Sequence, residues 1–160
     1  NMQVAFVGPY IESGKCIVAK RQALAQANEQ STDLNSPETR LAVMAGSTSE
    51  TFARELFPQG TVVTIDSYQV GAELVAKDEA SGMLTDYPIC LATLKENPDA
   101  GFVSLFSLLT YEPIGVALPA GDAQFINWTN NFMNRLEGTN TFKALGERWF
   151  GRASFAKTRE

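Results

Sequence analysis

The sequence predicts an α/β fold with a parallel sheet, and three observations carry that reading. Strand-like and helix-like segments alternate between about residues 40 and 100, the pattern of strand–helix–strand units. Leu41 to Met44 form a short apolar run suited to a buried strand. It breaks at Ala45-Gly46, and a segment with Phe52, Ala53, Leu56 and Phe57 on one helical face follows. Thr61 to Asp66 (TVVTID) is then a run of β-branched residues set off by Pro58-Gln59-Gly60.

The remaining segments follow in order. Val4 to Val7 is an apolar run closed by Gly8-Pro9-Tyr10, a turn signal, and Lys15 to Lys20 (KCIVAK) reads as a second strand. Gln22 to Ser36 is rich in Gln, Asn and Ser and reads as a surface excursion before Pro37. After the central unit, Gln69 to Ala80 carries Val70, Leu74 and Val75 at helical spacing and ends at Ser81-Gly82. Met83-Leu84-Thr85 makes a short strand stopped at Asp86-Tyr87-Pro88, and Ile89 to Leu94 begins another helix. Phe102 to Leu109 and Pro113 to Leu118 are further apolar runs. Two helices close the chain: Phe125, Trp128, Phe132, Met133 and Leu136 share a face of the first, and Phe142, Leu145, Trp149 and Phe150 of the second.

Composition limits the chemistry. The 160 residues suffice for one domain with a core, or for one lobe of something larger. A net charge of −5 without a long basic cluster points away from nucleic acid and anionic membranes. There is no histidine, which removes His-based catalysis, the usual serine hydrolase triad and His-ligated metals. The only cysteines, Cys16 and Cys90, lack metal-ligand spacing; two buried free thiols are the reading taken, with one bridge as the alternative. Asn1-Met2-Gln3-Val4 opens without a charged leader, so neither a secretory signal nor an 18-residue apolar span is expected here.

In parallel α/β sheets ligands collect at the carboxyl ends of the strands, and two polar groups fall there. The first is the Gly46-Ser47-Thr48 turn, where Ser47 or Thr48 caps a helix and Glu50 lies three residues after Ser47, as in a capping box. Free N–H groups and the helix dipole at such a terminus attract anions, although an ordinary well-capped connection has the same sequence. The second is Asp86, which suits an ammonium group or, equally, an N-cap for the helix at Pro88. Together they suit a zwitterion, carboxylate at the turn and ammonium at Asp86.

Five stretches in register (LAVMAGSTSE, DSY at 66–68, GMLTDYP, EPIGVALPAGD and ERWFG) resemble the extracellular solute-binding proteins for polar amino acids. These are the type II periplasmic binding proteins of ABC importers, and the likeness runs from about Val4 to Gly151. The resemblance implies two α/β lobes joined by two crossing strands, with the ligand buried as they close. Residues 1–20 then cross from a truncated first lobe, and 21–112 form a second lobe with a mostly parallel five-stranded sheet and flanking helices. Residues 113–151 carry the return crossing and the C-terminal helices of the first lobe, and 152–160 a tail. The family's carboxylate-binding Arg falls just upstream of Val4, close to Asn1.

By the same resemblance, Thr48 receives the ligand carboxylate with help from the Gly46 and Ser47 backbone, and Asp86 binds its α-ammonium. Met44 and Thr85 fall near the ligand side chain; both are uncharged, which suits a neutral side chain, and Met44 reads equally as core. The implied role is a binding module, without cofactor or metal, exported to the periplasm or outside and serving an ABC permease. The domain also occurs fused to sensor kinases, diguanylate cyclases and a lytic transglycosylase. A minority of relatives, the cyclohexadienyl dehydratases, are enzymes; candidate acids here are Asp66, Asp86 and Glu50, of which Asp66 reads as a helix cap and Glu50 as part of the capping box. A half-site lacking the Arg–carboxylate pair loses on the order of 2–5 kcal/mol, so weak or no binding of free amino acids is expected. The closing helices would expose Phe125, Trp128, Phe132, Phe142 and Trp149, which predicts self-association through them as a homodimer.

Overall fold

A computed structural model describes residues 3–21, 35–105 and 109–151. Asn1, most of the polar excursion (22–34), the middle of the 102–109 run and the 152–160 tail lie outside the described residues. The chain divides into two compact units, 14–110 and 1–13 with 111–160.

The 14–110 unit holds a five-stranded sheet in which Thr61–Ile65, Arg40–Met44, Gly82–Asp86, Lys15–Lys20 and Phe102–Leu105 lie side by side in that order. Its strands are β2 (Lys15–Lys20), β3 (Arg40–Met44), β4 (Thr61–Ile65), β5 (Gly82–Asp86) and β6 (Phe102–Leu105). β3 pairs parallel with β4, Leu41 opposite Val62, and with β5, Leu41 opposite Gly82. β2 pairs antiparallel with both β5 and β6, Ile17 lying between Leu84 and Leu105. Four strands therefore run one way and β2 against them. β2 enters at the carboxyl edge, where Lys15 opposes Asp86, and runs back through the sheet.

Among the described residues three helices cover this sheet: α1 (Thr48–Leu56), α2 (Tyr68–Ala76) and α3 (Tyr87–Glu96). α2 is shorter than its apolar spacing predicts, because the chain turns through Asp78 at φ 59°. Side-chain alternation along the strands sorts the core into two layers. Cys16, Val18, Ala42, Ile65 and Met83 pack with Ala72 and Val75 of α2 and Cys90 of α3. Ile17, Leu41, Val43 and Leu84 pack on the other face with Ala53 and Phe57 around α1.

Cys16 and Cys90 are bridged by a disulfide that ties β2 to α3. This corrects the reading of two free thiols. Both side chains are buried as expected, but sequence spacing could not show that strand and helix bring them face to face.

The second unit pairs β1 (Val4–Ile11) with β7 (Ile114–Pro119) as an antiparallel ribbon. The register shifts between Val7 and Ile11, so Gly8-Pro9-Tyr10 forms an irregularity within one strand rather than a turn ending it. Gly8 has φ 121°, a conformation that favours glycine. Two helices follow, α4 (Ala123–Gly138) and α5 (Thr141–Phe150). α4 packs on β1 and on α5, with Val7, Leu118 and Thr129 buried. The flank of α4 beside this packed face carries a stack of exposed aromatics: Trp128 lies 6.2 Å from Phe125 and 5.5 Å from Phe132, between ring centres.

Candidate functional site

The carboxyl edge of the 14–110 sheet carries the candidate residues, beginning with the turn between β3 and α1. Gly46 takes φ 70°, which lets the chain reverse between strand and helix. Ser47 is the N-cap: its Oγ accepts from the Glu50 N–H at 3.2 Å and donates to the Met44 carbonyl at 2.7 Å. Glu50 completes a capping box displaced by one residue, its carboxylate accepting from the Gly46 N–H at 2.8 Å and from Arg54 at 2.8 Å. The Arg54 hydrogen bond, then that of Gly46, holds the Glu50 carboxyl below its ordinary range.

These bonds decide which donors face outward. The Gly46 N–H is taken by Glu50, and the Ser47 N–H points back to the Met44 carbonyl. Among the described residues, the N–H groups of Thr48 and Ser49 have no protein acceptor. The anion-attracting part of the helix terminus therefore sits one residue further along than the turn sequence implies.

Asp86 ends β5 at the N-cap position of α3, yet its side chain makes no cap hydrogen bond. It accepts instead from the Lys15 ammonium at 2.5 Å. Lys15 also donates to Thr48 Oγ1 at 2.8 Å, so one ammonium joins the two polar groups of the sheet edge. Lys15 is 1% exposed, whereas the Asp86 side chain is 46% exposed, leaving the carboxylate open to solvent beside a buried cation. Strand register explains the meeting: Lys15 and Asp86 are opposite partners, and by the pleat they share a face with Ile17 and Leu84, the face that α1 covers. Charge pairing is what permits a lysine to be buried there at all.

Sequence reasoning missed Lys15 because KCIVAK reads as a strand framed by two solvated lysines. The signal was available only in the pairing, since a strand antiparallel to β5 must place its first residue beside Asp86. Met44 and Thr85 are not brought to this corner. By the same alternation both side chains point to the α2–α3 face, Met44 half-buried opposite Ile65 and Thr85 buried opposite Cys16. Asp66 does not cap its helix; Ser67 does, its Oγ accepting from the Val70 N–H at 3.3 Å. No group of three or more His, Cys, Asp or Glu side chains suited to a metal occurs among the described residues.

No protein-family model matches the chain. Among curated proteins it is 23% identical over 156 residues to ABC transporter arginine-binding protein 1 of Escherichia coli K12, covering 94% of this chain and 60% of that one. Among solved structures it is similar to an ancestral cationic amino-acid solute-binding protein, at 29% identity and a TM-score of 0.77, covering 92% of this chain and 62% of the other. A binding component of an ABC transporter from Wolinella succinogenes, complexed with lysine, matches at 29% identity and a TM-score of 0.77, over 97% of this chain and 66% of the other. The chain is a homologue of amino-acid solute-binding proteins of ABC transporters. It spans about 60% of the length of the curated relatives it matches. The mixed five-stranded sheet with flanking helices is a binding-protein lobe in fold, as the sequence resemblance implied.

Proposed function

We propose that this chain is the ligand-binding lobe of an amino-acid solute-binding protein serving an ABC permease, truncated relative to its relatives. The observation that carries the reading is the single corner at which the Thr48 and Ser49 amides and the Asp86 carboxylate meet, joined by Lys15. The ligand carboxylate lies at the amides and the Thr48 hydroxyl, with Gly46 and Ser47 shaping the turn beneath it. Asp86 faces the α-ammonium. The chain works as a binding module rather than an enzyme: of the candidate acids, Glu50 is held ionised by its partners and Asp86 is ion-paired. A buried disulfide supports an exported, oxidising setting, periplasmic or extracellular. Among the described residues no helix is long and apolar enough to cross a membrane. The exposed aromatics of α4 support association of two copies through the terminal helices.

Isothermal titration of the chain against a panel of amino acids tests the reading. With one lobe carrying the contacts, affinities in the millimolar range are expected, and Asp86→Ala or Thr48→Val abolishes them. Micromolar or tighter binding would refute the half-site, and binding unaffected by both substitutions would refute its location.

A further inference from the structure

We infer that α4 is a self-docking surface, on which two copies of this chain meet as an antiparallel, two-fold pair centred between Trp128 and Thr129. The inference rests on the association of two copies proposed above and deepens it; the ligand site plays no part in it. Phe125, Trp128 and Phe132 stand at i, i+3 and i+7, the spacing of a seam along one side of a helix. They are 44%, 60% and 45% exposed, and their rings are stacked on one another. An apolar strip therefore stands in water with its side chains packed together before any partner arrives.

Charge and register both point to a second copy as the occupant. Each copy carries a net charge of −5, so two copies repel unless the contact itself is neutral. From Ala123 to Asn134 the helix carries no charged residue, and the exposed amides Gln124 and Asn131 border the strip on its solvent side. A two-fold axis between Trp128 and Thr129 sets Phe125 of each copy opposite Phe132 of the other, with the two Trp128 side chains beside the axis. The same operation sets Asp122 opposite Arg135 at both ends of the seam. Both are exposed, and Asp122 is fixed at the start of the helix, its carboxylate accepting from the Phe125 N–H at 2.9 Å. The charges bounding the neutral strip are therefore opposite in this orientation, and antiparallel helix dipoles add to the attraction. A parallel pair would bring like charges together at each end. Three half-exposed aromatic side chains put roughly 300 Å² of each copy into the contact. That is small for an interface, so the pair is weak, with a Kd on the order of 100 μM.

The test is sedimentation equilibrium of the full chain across about 10 μM to 1 mM, where a monomer–dimer equilibrium is expected. Phe125→Glu and Phe132→Lys each put an uncompensated charge on the seam, and each is expected to weaken dimerisation about tenfold or more. The double variant sets the introduced carboxylate against the introduced ammonium twice across the axis, and it is expected to recover the dimer. Both positions are exposed, and circular dichroism of each variant checks that the helix is intact. A monomer throughout the range overturns the inference and leaves the face to a different chain. A dimer unaffected by the single variants also overturns it, while association of copies stands through another surface. A double variant no better than the singles overturns the antiparallel register. Titration with amino acids reads the ligand site separately, so failure of that reading is told apart from failure of this one.

Discussion

Reduction of the Cys16–Cys90 bridge is expected to cost the 14–110 unit a large part of its stability. The bridge spans 74 residues, so the unfolded chain gains the freedom of a long loop when it opens. Loop-closure entropy for that span corresponds to about 4.5 kcal/mol at room temperature. That is a large share of the 5–15 kcal/mol or so by which domains of this size are stable. Both sulfurs are fully buried in the layer between the sheet and helices α2 and α3, so reduction leaves two small apolar thiols and opens no cavity. The assay is urea denaturation of the oxidised protein against the same protein reduced and kept reduced, which avoids any substitution. A loss of about 4.5 kcal/mol moves the midpoint down by roughly 1.5–4.5 M for ordinary urea slopes. A difference below about 1 kcal/mol would refute the reasoning, because it would mean that the unfolded chain is not constrained by this bridge.

The ion pair predicts an asymmetry: Asp86→Asn removes the negative charge facing the buried Lys15 ammonium and is expected to cost about 3 kcal/mol, whereas Lys15→Met leaves a half-exposed carboxylate that water can solvate and costs under about 1 kcal/mol. Chemical denaturation of the two variants checks the order, and equal costs would contradict it. Ser47→Ala removes the α1 cap and the bond to the Met44 carbonyl, with an expected loss of about 1–2 kcal/mol in thermal denaturation. Because Glu50 is bound by Arg54 and Gly46 as the carboxylate, its folded pKa lies below the ordinary carboxylate value, and the stability it contributes is present above that ordinary value. Glu50→Gln is therefore less stable than the parent at neutral pH, and the gap closes as pH falls through the lowered folded pKa; a gap that persists in acid would refute the assignment.

Much of this protein is legible in the sequence alone. Apolar runs and helical spacing located β2 to β5 and helices α1 to α3, because burying one face of an element imposes such patterns locally. The turn at Gly46-Ser47-Thr48 was legible for a similar reason, since capping is chemistry among neighbours in the chain. What the local pattern could not contain was partnership across distance. Whether Lys15 is a solvated strand end or a buried cation depends on which strand lies beside it, and that is decided only when β2 enters the sheet against β5. The same pairing directs the Thr85 side chain away from Asp86, and packing of α3 on β2 turns two unremarkable cysteines into a bridge. Residues within one element answer to the periodicity of the backbone. Residues that meet across elements answer to register and packing, which exist only once the chain has folded.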